Sequence, residues 1–135
     1  MDFEAIDALD KSESGEWMTV RLPSGAEMDA QIKLAGQDSQ TYQKARDRAL
    51  ARMRKTDPTV EQLRAARMAL CVACTIELRN VKMGSEAITP DNVDKFYKKF
   101  PWVLEQVDEF IHTRNAFLDE EALGKSSSGV NGASA

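Results

Sequence analysis

Only two cysteines, one histidine and no long apolar run occur in this 135-residue chain, and each scarcity closes off a class of protein. Two cysteines, Cys71 and Cys74, cannot build the disulfide framework of a small secreted domain. They do spell Cys-x-x-Cys, but a zinc site needs about four ligands, and the remaining soft donor is His112. The redox form of the motif opens a helix after a strand, whereas the spacing here predicts mid-helix positions. Two small apolar residues packed in a core helix is the expectation. His112 lies among Glu109, Phe110 and Ile111 with no nucleophile nearby in sequence, and nucleophilic catalysis needs a base held against a nucleophile. Gly124-Lys125-Ser126 has the letters that end a phosphate-binding loop, but Asp119 stands where the loop needs glycine and a Ser/Gly stretch follows instead of a helix. No catalytic, cofactor-binding or metal-binding residue is expected, and no enzymatic activity.

No segment approaches the roughly 18–20 apolar residues of a bilayer span. Met1-Asp2-Phe3-Glu4 is acidic where a signal peptide is basic and then apolar. The expectation is a cytoplasmic protein without an export route.

What the chain does have is the balance of a single folded domain, with 42% hydrophobic and 30% charged residues. The net charge of −4 argues against bulk affinity for nucleic acid or anionic membrane. That average hides an asymmetry. Between 41 and 67 eight basic residues (Lys44, Arg46, Arg48, Arg52, Arg54, Lys55, Arg64, Arg67) meet three acidic ones, while 1–16 and 105–121 each hold six acidic residues against one basic. The basic residues wrap around their helix and no base-reading motif accompanies them, so a partner-facing electrostatic surface is favoured over phosphate binding.

Residues 1–15 form an acidic arm in which Phe3, Ile6 and Leu9 share a three-residue spacing, as in a short docking helix or a mobile leader. From Trp17, two period-2 runs follow. Met18, Val20 and Leu22 alternate with polar neighbours, Pro23-Ser24-Gly25 supplies turn chemistry, and Met28, Ala30, Ile32 and Leu34 alternate again. This predicts a β-hairpin with one buried face, which must lie on a helical layer. Asp38-Ser39 caps a helix to about Lys55 with a thin stripe of Tyr42, Ala45, Ala49, Leu50 and Met53. Thr59 and Gln62 form a capping box that opens a second helix to about Arg79, apolar on nearly all sides between Met68 and Ile76. Val81, Met83 and Ile88 suit short extended pieces around Gly84. Thr89-Pro90 starts a short helix at its first position, and Pro101 begins another whose stripe runs from Val103 to Phe117 and Leu118. The Ser/Gly-rich stretch 124–135 cannot bury apolar area and is read as a flexible tail. The fold expected is mainly α (α+β), with an N-terminal β-hairpin packed on about four helices. Its domain covers 16–123, between the arm and the tail.

Four of the nine aromatic residues fall in Phe96-Tyr97-Lys98-Lys99-Phe100-Pro101-Trp102. By itself such a cluster means core first, with Tyr and Trp also favoured as interface anchors. The block, together with Thr89-Pro90-Asp91-Asn92-Val93 before it and Gln106-Val107, Phe110-Ile111 and Asn115-Ala116-Phe117-Leu118 after it, resembles the tail assembly chaperones of long-tailed phages and their prophages. The resemblance is carried by about thirty residues, and the first half of the chain is generic. It implies a non-enzymatic protein of the host bacterial cytoplasm. Such a protein binds the long helical tape measure protein, helps recruit tail tube subunits, can self-associate, and leaves before the virion is complete. The residues assigned to partner contact on this reading are Tyr97, Trp102, Phe110, Arg46 and Arg52, with Tyr97 and Trp102 foremost. Cofactors, membrane and nucleic acid have no part in it. Two other classes stand beside it: a minor structural tail or head-completion protein that offers its hairpin to a neighbour's sheet, and a small nucleic-acid-binding protein using the basic helix.

Overall fold

The computed structural model describes residues 2–3, 9–53 and 57–118. Residues 1, 4–8, 54–56 and 119–135 lie outside the described residues, and with them Ile6, the expected end of the first long helix and the Ser/Gly-rich stretch 124–135. Of the described residues 53% are helical and 21% are in strands, a mainly α fold with a small sheet.

The order is α1 (Leu9–Ser14), β1 (Glu16–Arg21), β2 (Glu27–Leu34), α2 (Gln40–Met53), α3 (Val60–Cys74), β3 (Thr75–Arg79), β4 (Lys82–Met83), β5 (Glu86–Ala87), α4 (Val93–Lys99) and α5 (Pro101–Ile111), then a 3-10 turn at Arg114–Phe117. The expected hairpin forms. β1 and β2 pair antiparallel with Trp17 opposite Lys33 and Met18 opposite Ile32. Gly25, at φ 94°, closes the turn, where its N–H donates to the Leu22 carbonyl at 2.8 Å. Arg21 braces the same turn, its guanidinium bonding the Gly25 carbonyl at 3.1 Å and the Glu27 carboxylate at 3.0 Å.

The second long helix ends earlier than its spacing predicts. α3 stops at Cys74, and Thr75–Arg79 becomes a strand on the free edge of β2, giving the sheet order β1-β2-β3. Glu77, Leu78 and Arg79 favour helix by propensity. The ladder along β2 overrides them, helped at the switch by Thr75, whose hydroxyl donates to the Cys71 carbonyl at 2.7 Å and ends the helix. Nor is α3 the central helix. Only Cys71 and Cys74 are fully buried on it, while its Val60 and Leu63 are exposed, as is Ile76 on β3. That place belongs to α5, which buries Val103, Leu104, Val107 and Ile111 against the inner sheet face of Met18, Val20, Ile32 and Leu34. α2 lies beside α3, and the residues it buries are the small Ala45 and Ala49, which let the two helices approach closely.

Local start and stop signals hold up unevenly. The Thr59–Gln62 capping box is present, with bonds of 2.9 and 3.1 Å. Ser39 caps α2 through the Tyr42 N–H at 3.1 Å, and Pro101 occupies the first turn of α5. Pro90, expected at the first helical position, instead sits in a turn closed by the Thr89 N–H to Asn92 Oδ1 at 2.7 Å, and α4 begins at Val93. Phe117 is buried, but from the 3-10 turn and not as a continuation of the α5 stripe. Phe3 and Leu9 are exposed, and α1 buries Ser12. Around Gly84, β4 and β5 form a two-stranded hairpin.

Gly36 is a tight crossing. A Cβ there would stand 2.7 Å from Ser12 Oγ and 3.0 Å from the Phe117 ring. The neighbouring backbone is tied three ways: the Gly36 N–H to the Ser12 carbonyl at 2.9 Å, the Gln37 N–H to the Ile111 carbonyl at 3.1 Å, and the Ser39 hydroxyl to the Gly36 carbonyl at 2.7 Å.

Candidate functional site

The aromatic block builds one wall of an apolar groove. α4 ends at Lys99 because Pro101 cannot continue it, and Phe100 takes a non-helical conformation (φ −121°, ψ 73°) that turns the chain into α5. The turn brings Phe100 and Trp102 edge to face with centroids 6.0 Å apart, and Phe96 lies 5.5 Å from Phe100. Opposite stand Val20, Leu22, Met28 and Ala30 of the hairpin, with Asn80, Val81 and Lys82 along the rim, enclosing about 190 Å³. Leu22 and Met28, 42% and 37% exposed, overhang the helical layer at the hairpin tip. The lining carries one charged side chain, Lys82, and no carboxylate, thiol or imidazole. Such a surface removes apolar side chains from water.

The five residues assigned from sequence fall in separate places. Trp102 lines the groove. Tyr97 does not, and its assignment as a partner contact is corrected: it is 0% exposed. Its hydroxyl meets Thr75 Oγ1 at 2.7 Å, and because Thr75 gives its own proton to Cys71, Tyr97 is the donor. Burial pushes its phenol well above the ordinary range. Phe110 is half-buried, packed edge-on against Phe117 at 5.5 Å, and lines a different cleft beside β1. Arg46 and Arg52 are exposed on α2, to either side of its buried Ala45–Ala49 stripe. Arg52 borders the α2–α3 seam with Met53 and Gln62, and Arg46 stands 3.7 Å from Asp47. Leu22 and Met28 were legible only as inward positions of an alternating strand. Nothing local marks that the helices beneath them end short of the turn.

The groups that invite a chemical reading have structural partners. Cys71 and Cys74 are free and buried, and desolvation pushes both thiols up to about 12, away from reactive thiolate. His112 joins helices: Nδ1 lies 2.7 Å from the Asp108 carbonyl and therefore carries the proton, which leaves Nε2 to accept from the Tyr42 hydroxyl at 2.9 Å. Burial raises the Tyr42 phenol, the opposite of an activated nucleophile. Asp108 in turn holds Arg67 of α3 at 3.1 Å. Among the described residues no group of three His, Cys, Asp or Glu side chains stands close enough to hold a metal ion, and no helix is long and apolar enough to cross a membrane. Comparison with known proteins gives no family model, no curated protein and no solved structure that matches this chain.

Proposed function

We propose that this chain is a tail assembly chaperone of a long-tailed phage or prophage, which binds the tape measure protein during tail assembly without performing chemistry on it. The observation that carries the reading is the groove at Trp102. The same Phe96–Trp102 block on which the resemblance rests supplies its wall, and the lining is apolar almost throughout. A long helical client presents apolar stripes that aggregate when free, and a groove of this kind receives one or two anchor side chains of such a stripe, as in helix-in-groove recognition. Exposed Leu22 and Met28 extend the apolar surface beyond the groove itself. Tyr97 is replaced as a contact by Leu22, and the other anchor expected from sequence, Trp102, is kept.

The test is copurification of the full chain with a tape measure fragment, repeated with Trp102→Ala and Leu22→Ser. Losing an aromatic anchor at the centre of a small interface costs about 2 kcal/mol or more, roughly thirty-fold in affinity. Unchanged retention of the fragment by both folded variants contradicts the reading, as does stoichiometric presence of the chain in finished particles measured by mass spectrometry.

A further inference from the structure

The walls of the groove at Trp102 are pinned to each other by one side chain. Gln106, on α5, accepts from the Arg21 N–H at 2.9 Å and donates to the Arg21 carbonyl at 2.8 Å, next to Leu22 on the hairpin wall. Its amide also donates to the Trp102 carbonyl at 3.2 Å on the helical wall. Asn80, on the rim, donates to the Asp29 carbonyl of β2 at 3.2 Å. A groove held this way loses little affinity to ordering when it is filled.

Its rim carries positive charge that nothing offsets. Lys82 is the one charged side chain in the lining. Lys99 stands one turn beyond Phe96 on α4, next to Phe100, and is exposed. Neither lysine has a carboxylate within ion-pair distance among the described residues. The neighbouring strands do not turn one toward the groove. Glu27 and Asp29 alternate with the groove residues Met28 and Ala30, so they point away from it, and Glu27 holds Arg21 at 3.0 Å. Glu86 is paired with Met83 across the β4–β5 hairpin, which puts it on the face away from Lys82.

We propose that the groove selects by charge as well as by shape: it takes an amphipathic helix of a partner protein whose apolar anchors are flanked by carboxylates that pair with Lys82 and Lys99. The selectivity presupposes that the groove is where the client binds. A helix flanked by cations fits less well, because its charges would face both lysines over a lining without a carboxylate. The pairs are exposed, so the preference is several-fold in affinity and is screened by salt.

The probes are two capped leucine-stripe peptides of about eighteen residues, long enough to be helical. One has glutamates along both edges of the stripe and lysines on the far side; the other has them exchanged. Composition and net charge are the same, so the field of the whole chain, net charge −4, acts on both alike. Each is titrated into a Trp17→Phe chain and followed by the emission of Trp102. At about 50 mM salt the glutamate-edged peptide is expected to bind at least about five-fold tighter, and at about 500 mM salt the two are expected to agree within about two-fold. Lys82→Glu with Lys99→Glu is expected to reverse the order with the circular dichroism spectrum kept. The proposal is overturned by equal affinities at low salt, by an order that the two substitutions leave unchanged, or by absence of saturable binding of either peptide up to millimolar concentration. It is also overturned by binding that leaves the Trp102 emission unchanged. Failure to retain a tape measure fragment, by a chain that keeps this preference, contradicts the proposed function alone.

Discussion

Tyr97, Thr75 and Cys71 form a buried polar chain in which each hydrogen bond fixes the direction of the next. Tyr97 donates to Thr75, which donates to the Cys71 carbonyl, both at 2.7 Å. Thr75→Val leaves the Tyr97 hydroxyl and the Cys71 carbonyl in the core without this partner, and is expected to cost about 1–3 kcal/mol in urea unfolding. Tyr97→Phe alone removes the donor and costs about 1 kcal/mol. The double variant is expected to cost less than the two added together, since the orphaned hydroxyl is gone; strict additivity refutes the chain. The same neighbourhood sets an alkaline limit. Cys71 and Cys74 remain neutral up to about pH 12 in the folded chain, against an ordinary value of 9.0. The unfolded chain therefore loses these protons first, so stability falls as pH rises from about 9 toward 12, by about 1.4 kcal/mol per pH unit for each thiol. Below about pH 8 these groups add no pH dependence. Asp38 works at the other end: the Arg114 guanidinium, hydrogen-bonded to it at 2.8 and 3.0 Å, holds its carboxyl below the ordinary value. Its contribution is present above that value and is lost as pH falls through the lowered one. Denaturant midpoints measured across the alkaline range check the first statement, and across the acid range the second.

Elements announce themselves in sequence when their signals are local. The hairpin rests on period-2 alternation and a Pro-Ser-Gly turn, the start of α3 on Thr59 and Gln62, and the start of α5 on Pro101, and all of these are where local chemistry puts them. β3 is illegible for the opposite reason. Glu77 to Arg79 carry no strand pattern; what makes them a strand is a β2 edge some forty residues upstream in sequence. Tyr97 and Phe110 were ambiguous because spacing places a residue on a stripe without saying which side of the stripe the next element covers. The groove shares that difficulty, since Leu22 and Met28 border it where α4 ends and α5 begins. Gln106 belongs to this scale too: a single side chain closes a strand edge and also bonds the Trp102 carbonyl at 3.2 Å. Gln106→Ala is expected to cost about 1–2 kcal/mol and to speed hydrogen exchange at the Arg21 amide. Exchange at Met18, bonded within the ladder, should change much less. Gly36→Ala presses a methyl group between Ser12 and Phe117 and is expected to cost about 1–3 kcal/mol by overpacking, read as a lowered melting temperature.

The whole molecule is a sheet with α4 and α5 on its inner face, flanked by the α2–α3 pair. That layout gives its surfaces different characters. An apolar groove opens at the hairpin tip, an acidic cleft runs along the β1 edge, and basic residues line α2. The groups that could have suggested chemistry are spent on holding elements together, as His112 and Asp108 hold α5 to α2 and α3. The central claim is that a helical client enters the groove at Trp102. Trp102 itself can report it, because Trp17 is the one other tryptophan in the sequence. In a Trp17→Phe variant titrated with a tape measure fragment, the account predicts a saturable blue shift of the emission as the half-exposed indole loses water. Saturable binding of the fragment, established independently by calorimetry, with no change in that emission would contradict it.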